Sequence, residues 1–251
     1  MTGVLPIALD NATKAMPVLM GLDKEYVGVM HLHKDFDLEN LRKVISEKFV
    51  GKIRQIPPVR SAVVRRLRIK RVYFFDILEV EGRDVLFKVG CEAGTYIRKL
   101  VSDLGIALGI GAHLTELRRT KAGHFTEDKS HSLVEVKDAY DFWREDGEEK
   151  YIRKILIPVE HAILHVKRVF VKDSVIGAIT YGAPVYVPGL VRIQEGIEKE
   201  EKVAIYSLKG ELVALGIAKM TSEEMYEKSR GLAIRTDRVF MEKGVYPRVW
   251  K

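Results

Sequence analysis

The fold is most directly predicted by residues 72–89, VYFFDILEVEGRDVLFKV. β-branched and aromatic residues dominate residues 72–80 and 85–89, and such residues are typical of strands. The polar, glycine-containing tetrapeptide Glu81-Gly82-Arg83-Asp84 between the two runs is typical of a hairpin. The sequence therefore predicts two neighbouring antiparallel strands.

Helices and further strands are predicted on both sides of this hairpin. A strand is predicted over residues 24–33 and a helix over residues 38–49, ending at Gly51. Thr95 is expected to open a helix, and Ile97, Val101, Leu104 and Leu108 recur at helical spacing after it. A strand is predicted over residues 113–120, and Ser132 with Glu135 forms a capping-box pattern. The predicted class is α+β, with a mixed, largely antiparallel sheet.

After Pro158 the sequence pattern changes to short apolar runs separated by glycine and proline. We therefore predict two domains, a mixed domain over residues 1–163 and a small, β-barrel-like domain over residues 164–251. Gly182 and Gly189 are expected at turns of the second domain, where glycine lets the backbone turn or approach closely. Pro188-Gly189 is expected to hold an open loop.

Composition limits the classes of protein to which the chain can belong. It has 251 residues, 42 Lys+Arg against 35 Asp+Glu, and a net charge of +7, which suits a polyanionic partner or simply a solvated basic surface. One cysteine, Cys91, excludes an intramolecular disulfide framework. No apolar run approaches the ~20 residues that span a bilayer. No secretory signal is evident, so no membrane partner and a cytoplasmic location are expected.

Familiar cofactor and metal motifs are absent from the sequence. It contains no phosphate-loop pattern, no H-E-x-x-H and no strand-linked G-x-G-x-x-G. His31 and His33 would point to the same side of a strand, but a metal site there would need ligands that the neighbouring sequence does not offer. We therefore expect no metal and no cofactor.

Residues 60–71 carry the densest positive charge, with six Arg or Lys residues in twelve positions. Apolar residues between them, such as Val64 and Leu67, are expected to anchor a strand while the cations point towards phosphates. The alternative is an exposed edge strand whose charge prevents aggregation. The cations expected to bind RNA here are Arg60, Arg65, Arg66, Arg68, Lys70 and Arg71.

Two further stretches place arginine where a strand meets another element. Arg98 lies in the first turn of the helix that follows residues 85–89, a place that often borders an active site. Arg118 and Arg119 end the strand predicted over residues 113–120. Spacing alone favours a surface residue of an amphipathic helix for Arg98, and Arg118 and Arg119 are also compatible with a simple basic strand end.

Five stretches in this order resemble the TruB/dyskerin family of RNA pseudouridine synthases, and the resemblance covers essentially the whole chain. The basic run over residues 65–68 is similar to the archaeal and eukaryotic branch, which acts in H/ACA ribonucleoproteins. The C-terminal segments 182–189 and 209–216 are similar to a PUA RNA-binding domain. The five stretches are Thr2-Gly3-Val4-Leu5-Pro6, Lys24-Glu25-Tyr26, Gln55-x-Pro57-Pro58, Gly94-Thr95-Tyr96-Ile97-Arg98 and Leu117-Arg118-Arg119-Thr120.

The resemblance implies roles for three residues. Tyr26 would stack on the flipped uridine and handle a proton, Arg98 would pair with the nucleophilic carboxylate, and Leu117 would pack under the base. The family's nucleophilic aspartate belongs to an L-D-P sequence that is expected to precede Met1, and Asp10 follows the matching pentapeptide instead. This chain alone is therefore expected to be inactive.

The resemblance also implies an activity and partners. The expected reaction is the isomerisation of uridine to pseudouridine in tRNA (position-55 type) or rRNA, as the catalytic subunit of an H/ACA ribonucleoprotein. The expected partners are tRNA, rRNA, H/ACA guide RNA and small H/ACA proteins. Arg118, Arg119, Gly182 and Gly189 would add RNA contacts. The alternative is a non-catalytic RNA-binding scaffold.

Overall fold

The computed structural model describes residues 2–58 and 64–247, and their contacts divide them into two compact units. The first unit contains residues 2–7 and 18–151, and the second contains residues 8–17 and 152–247. The second unit thus includes a segment from near the N-terminus as well as the C-terminal part of the chain. The expected RNA-binding residue Arg60 lies outside the described residues.

The strands of the first unit are β1 (Thr2–Gly3), β2 (Lys24–Leu32), β3 (Gly51–Gln55), β4 (Arg68–Glu81), β5 (Asp84–Cys91), β6 (Ala112–Ala122) and β7 (Phe125–Thr126). Its helices are α1 (Met16–Met20), which begins in the segment of the second unit, α2 (Leu38–Lys48), α3 (Ile97–Ala107) and α4 (Leu133–Asp146). Within the described residues these seven strands form one sheet in the order β1-β6-β2-β5-β4-β3, with β7 on β6. Only β1 and β6 pair in parallel there, so the sheet is mixed and largely antiparallel, as predicted.

The helices α2 and α3 bury their apolar stripes against one face of this sheet. Asp37 caps α2 by accepting a hydrogen bond from the Asn40 N–H at 2.9 Å. Leu41 and Ile45 of α2 and Leu104 of α3 join the core that the strand residues build. The core lies where the helical 3.6-residue period and the two-residue strand period both point inward.

The second unit contains α5 (Glu149–Ile155), α6 (Val159–Ala162), β8 (Lys167–Val171), α7 (Asp173–Ile179), β9 (Val185–Tyr186), β10 (Leu190–Ile193), β11 (Lys202–Tyr206), β12 (Leu212–Ala218), α8 (Ser222–Glu227) and β13 (Leu232–Val239), although α5 begins in the first unit. Within the described residues its six strands follow the order β10-β8-β11-β12-β13-β9, and only β8 and β11 pair in parallel. Val169, Ile205 and Val213 are completely buried at its centre.

Most predicted elements are confirmed, and three details are wrong. The hairpin turn contains two residues, Gly82 and Arg83, because Glu81 pairs with Asp84. The helix α3 begins after Thr95, whose hydroxyl donates to the Glu92 carbonyl at 2.7 Å, and Tyr96 is its N-cap residue. The segment at Pro188-Gly189 is a short 3-10 helix, and Gly189 is buried against Val175. It is therefore not an open loop.

The apolar residues of the basic segment do not anchor a strand. Residues 64–67 precede β4 as irregular chain. Val64, Leu67 and Ile69 are 76%, 56% and 62% exposed, respectively. The expectation that they pack inward is wrong because residues 64–67 lie outside β4, and β4 pairs with the edge strand β3 alone over Arg68–Arg71.

Candidate active site and basic face

Tyr26 lies near the start of β2, between two neighbouring strands. It pairs with Val89 of β5 on one side and with Arg119 of β6 on the other. The register of β6 shifts between Glu25 and Tyr26, so that Thr120 is an extra residue in the ladder. Such bulges re-aim side chains and are frequent next to active sites. This end of the sheet therefore combines a phenol, a guanidinium and an irregular backbone.

Burial raises the pKa of the Tyr26 phenol, and the nearby Cys91 thiol adds to the increase. The guanidinium of Arg119 opposes it by its charge and by a hydrogen bond to the phenol. Burial has the larger effect because an ionised phenol loses more hydration than one neighbouring charge restores. Tyr26 is therefore protonated at neutral pH and carries an apolar ring with a polar tip.

Leu117 lies two residues along β6 from Arg119, the partner of Tyr26, and a glycine makes room for its side chain. Gly28 of β2 pairs with Leu117 of β6. A Cβ atom on Gly28 would lie 3.1 Å from Leu117 Cδ1 and 2.9 Å from the Glu116 carbonyl oxygen. Tyr26 and Leu117 both pack, partly buried, against the core of the first unit. The structure thus brings these two predicted site residues together.

Arg98 comes seven residues after Cys91, the last residue of β5. Cys91 pairs with Lys24 at the start of β2. Arg98 is exposed in the first turn of α3. Among the described residues, its side chain has no hydrogen-bond or ion-pair partner. Its guanidinium is therefore free to bind an anion at the end of the sheet where Tyr26 lies.

The start of α3 is held by Gln55, which sequence analysis placed only within a motif. The Gln55 side chain is 3% exposed. Its Oε1 accepts from the Tyr96 N–H at 3.1 Å, and its Nε2 donates to the Tyr96 carbonyl at 3.3 Å. This pair of bonds attaches the end of β3 to the residue two positions before Arg98. The only signal in the sequence is an amide two residues before Pro57-Pro58.

Arg119 joins β1 to the site. Its Nε donates to the Val4 carbonyl at 2.7 Å, and its own carbonyl accepts from the Val4 N–H at 2.8 Å. Gly3 has φ +91°, and a Cβ atom there would lie 2.1 Å from the Arg119 carbonyl oxygen. The close approach of β1 to β6 therefore requires glycine at this position. Arg119 is partly used in holding β1.

Lys24 is a second basic residue in this region, and sequence analysis assigned it no role. Its ammonium group donates to the Leu22 carbonyl at 2.5 Å and to the Met20 carbonyl at 2.8 Å. Burial lowers the pKa of Lys24, and the positive charge of Arg119 lowers it further. The region beside Tyr26 is thus electropositive.

The basic face of β4 and the preceding segment is organised by Glu92, another residue that sequence analysis missed. Glu92 accepts from Lys70 Nζ at 2.7 Å and from the Arg71 N–H at 3.1 Å. Arg65 Nε donates to the Pro57 carbonyl at 3.3 Å. These contacts neutralise part of the segment and fix its backbone.

The other cations of this face have fewer partners. Arg66 is exposed, and its side chain makes no hydrogen bond or ion pair within residues 2–58 and 64–247. Arg68 has a buried Nε without a hydrogen-bond partner. Arg71 lies over the Tyr73 ring, 5.9 Å from its centroid. The face therefore exposes cations beside exposed apolar side chains.

The remaining predicted RNA-binding residues are dispersed. Arg118 is exposed on β6 and pairs with Glu127. Gly182 is exposed with φ +89°, whereas Gly189 is buried, and both belong to the second unit.

The histidines of β2 come together with one from β6. His33 Nε2 lies 2.9 Å from His113 Nδ1, and His31 Nδ1 lies 2.7 Å from an Asp84 carboxylate oxygen. No group of three or more His, Cys, Asp or Glu residues in the described part of the chain is arranged to hold a metal ion. No helix within the described residues is long and apolar enough to cross a membrane.

Three family models match successive parts of the chain. The TruB family pseudouridylate synthase N-terminal domain matches residues 1–97, and the tRNA pseudouridylate synthase B C-terminal domain matches residues 98–164. The PUA domain matches residues 167–240. The β-barrel-like PUA fold predicted for the C-terminal part is confirmed by this match.

Relatives and solved structures match nearly the full chain. A probable tRNA pseudouridine synthase B of Methanopyrus kandleri is 53% identical over 99% of this chain and 73% of its own length. That of Thermococcus kodakarensis is 52% identical over 100% and 74%. Among solved structures, a Cbf5-Nop10-Gar1 complex contains a chain with TM-score 0.91 and 50% identity over 98% of this chain and 75% of that one. An H/ACA RNP bound to a substrate RNA containing 2'-deoxyuridine gives 0.89 and 47% over 99% and 75%.

Proposed function

Because the chain belongs to the TruB family of pseudouridine synthases, we propose that it binds RNA at the end of the sheet that carries Tyr26 and supplies residues for the isomerisation of uridine. The observation that carries the proposal is the position of Tyr26 beside Leu117, at the end of the sheet where β5 leads into α3 and the unpaired Arg98. The apolar ring and protonated phenol of Tyr26 suit an extruded base. The free guanidinium of Arg98 suits the anionic groups that surround that base.

In this reaction the bond from ribose C1′ to uracil N1 breaks, a bond from C1′ to C5 forms, and the proton on C5 is lost while N1 gains one. The product is an isomer, so no oxidant, reductant or second substrate is needed. Tyr26 would stack on the extruded uracil and, because its phenol stays protonated, hold or pass on a proton. Leu117 would form the floor, and Arg98 would orient a carboxylate nucleophile.

The family places an aspartate nucleophile before a proline and the pentapeptide that Thr2-Gly3-Val4-Leu5-Pro6 matches. Asp10 follows the pentapeptide and belongs to the second unit. The second candidate function is a non-catalytic RNA-binding scaffold, which the exposed cations Arg65, Arg66 and Arg71 support.

RNA would be held by both parts of the chain. In the proposed arrangement a catalytic domain covers residues 1–163 and a PUA domain covers residues 164–251. The exposed cations of residues 64–71 would bind phosphates, together with Arg60, Arg118 and Arg119. The turn at Gly182 would approach RNA in the second domain, and Gly189 would support it from within by packing on Val175.

The solved relatives suggest the assembly. They contain Cbf5 with Nop10 and Gar1, or an H/ACA RNP with a substrate RNA. We propose that this chain likewise joins small H/ACA proteins and guide RNA, acts on uridines of tRNA or rRNA, and works in the cytoplasm, where those RNAs are used.

Binding of a tRNA transcript, followed by fluorescence anisotropy, tests the proposal. The wild-type chain should bind, and Tyr26→Ala and Arg98→Ala should each lose more affinity for RNA with an unpaired target uridine than for RNA with cytidine there. Equal loss for both RNAs, or none, would leave only the scaffold. Mass spectrometry of the RNA after incubation with this chain measures pseudouridine directly, and Asp10→Asn tests whether Asp10 takes part.

A further inference from the structure

A second concave site lies in the first unit, outside the Tyr26 site. It is a pocket of 370 Å³ beside the first turn of α3. Its floor is formed by Phe49, Ile53 and Leu100, all of which are buried. This volume falls within the ~300–1,000 Å³ range of small-molecule pockets. Neither Tyr26 nor Arg98 lines it, so the mechanism above leaves it unused.

The mouth of the pocket is apolar and open to solvent. Ile56 is 44% exposed and Leu67 is 56% exposed, and both line the pocket. Ile56 directly follows β3 and Leu67 directly precedes β4. Covering such side chains with a flat apolar group is favourable, and nucleobases offer that kind of face.

The rim of the pocket is positively charged. Lys48 ends α2 and Arg54 lies on β3; both are exposed. Within the described residues, neither side chain has an ion-pair or hydrogen-bond partner. Lys99 lies on the opposite wall and pairs with Asp103. The pocket thus offers an apolar slot with two unpaired cations at its edge.

The pocket is directly connected to the proposed catalytic residues. Lys99 follows Arg98 in the first turn of α3. Gln55, in the pocket wall, uses its amide to hold Tyr96, so this polar group is not available to a ligand. Lys99 and Leu100 line the pocket, so it lies within one helical turn of Arg98.

We propose that this pocket binds a nucleobase of the bound RNA other than the target uridine, with the adjoining phosphate held by Lys48 and Arg54. The inference rests on the proposed function, because it requires RNA at Arg98. It adds a second base-binding subsite, which would hold the strand while the target base is extruded. An apolar side chain of a protein partner is the competing occupant.

Binding of a short oligouridylate to the full chain tests the base contact. Leu67→Ser and Ile56→Ser change exposed side chains, so the fold should be retained. Each should weaken binding on the order of tenfold, as loss of a stacked base does, with an unchanged salt dependence. Val64→Ser is the matched control, since Val64 is 76% exposed in the same segment and does not line the pocket.

Charge variants test the phosphate contact. Lys48→Ala and Arg54→Ala should each lower the slope of log affinity against log salt by about one, whereas Lys43→Ala, on the same helix as Lys48, should not. If Leu67→Ser and Ile56→Ser bind like Val64→Ser, the base subsite is overturned, even when the charge variants weaken binding. If the wild-type chain binds no RNA, the proposed function fails as well. Wild-type binding that no pocket variant alters overturns the subsite alone.

Discussion

The side-chain amide of Gln55 makes hydrogen bonds to both backbone polar groups of Tyr96, at 3.1 Å and 3.3 Å. The start of α3 has no side-chain cap, and these two hydrogen bonds hold its N-cap residue, Tyr96, in place. It also joins the two sequence motifs, Gln55-x-Pro57-Pro58 and residues 94–98, that lie 41 positions apart. The position of the first turn of α3, which contains Arg98, therefore depends on Gln55 of β3.

We expect Gln55→Ala to destabilise the first unit by about 1–3 kcal/mol, because it removes two hydrogen bonds between a buried amide and the Tyr96 backbone. Chemical denaturation measures the loss, and hydrogen exchange should show faster exchange at the Tyr96 amide. Lys52→Ala, an exposed position on the same strand, should stay within about 0.5 kcal/mol of wild type. Equal stability of the two variants would mean that the amide pairing contributes nothing.

Cys91 should be unreactive in the folded protein. Burial raises the pKa of its thiol to about 11, against a smaller opposing effect of a hydrogen bond with Thr95. Since the thiolate is the reactive form, Ellman's reagent at about pH 8 should label the native chain far more slowly than free glutathione. One equivalent should react in denaturant. Fast native labelling would contradict the burial of Cys91 on β5.

The same pKa shift predicts how stability changes at high pH. The folded pKa lies above the unfolded value, so the contribution of Cys91 is complete below the unfolded pKa, about 8.5, and is lost as the pH rises through about 11. Cys91→Ser or Cys91→Ala should remove this part of the alkaline destabilisation.

The overall architecture was predictable because its signals are local and repeated. The hairpin over residues 72–89 and the capping box at Ser132 depend on neighbours in the sequence, and both are found. The parallel pairing of β1 with β6 was not predicted, because it joins residues more than 110 positions apart and depends on a close approach at Gly3.

The candidate site was predicted unevenly for a physical reason. Tyr26, Arg98 and Leu117 stand in recognisable motifs, but their positioning depends on Gln55 and Arg119, whose partners are backbone atoms of distant residues. A backbone partner leaves no trace in residue type. The apolar residues at Val64 and Leu67 were misassigned because alternation with charge looks the same in a buried strand and on an exposed binding surface.

Glu224 should stabilise the second unit except in acid. Hydrogen bonds from Lys199, Lys228 and the Thr221 N–H lower its pKa to about 2. Because the folded pKa lies below the ordinary value of 4.5, the stabilisation is complete above that value and is lost as the pH falls through about 2. Glu224→Gln keeps an acceptor for the capping box at Thr221 but removes the charge.

We therefore expect Glu224→Gln to melt at a lower temperature than wild type at about pH 7 and at the same temperature near pH 2. The difference should shrink at high salt, because both lysines are partly exposed. Glu227→Gln, an exposed neighbour without a hydrogen bond or ion pair in the part of the chain that is described, is the control. A difference that persists near pH 2 would rule out the charge as its cause.

Arg66 and Arg68 should contribute phosphate contacts that do not depend on sequence. The Arg66 guanidinium is exposed and has no hydrogen-bond or ion-pair partner among the described residues, and the Nε of Arg68 is unsatisfied. Each bound phosphate releases condensed counterions, so log affinity should fall linearly with log salt. Replacing both residues by Ala should lower RNA affinity at about 0.1 M salt and reduce the slope by about two.

The comparison that decides this prediction is a second double variant with the same loss of charge. Arg42→Ala with Lys43→Ala removes two exposed cations from α2, away from the basic face. If only net charge mattered, both double variants would weaken binding equally. A contact surface at residues 64–71 requires the Arg66 and Arg68 variant to lose more affinity and more slope, and to lose both equally for tRNA and for an unrelated RNA. An unchanged slope would return this segment to the interpretation that its charge only protects a sheet edge from aggregation.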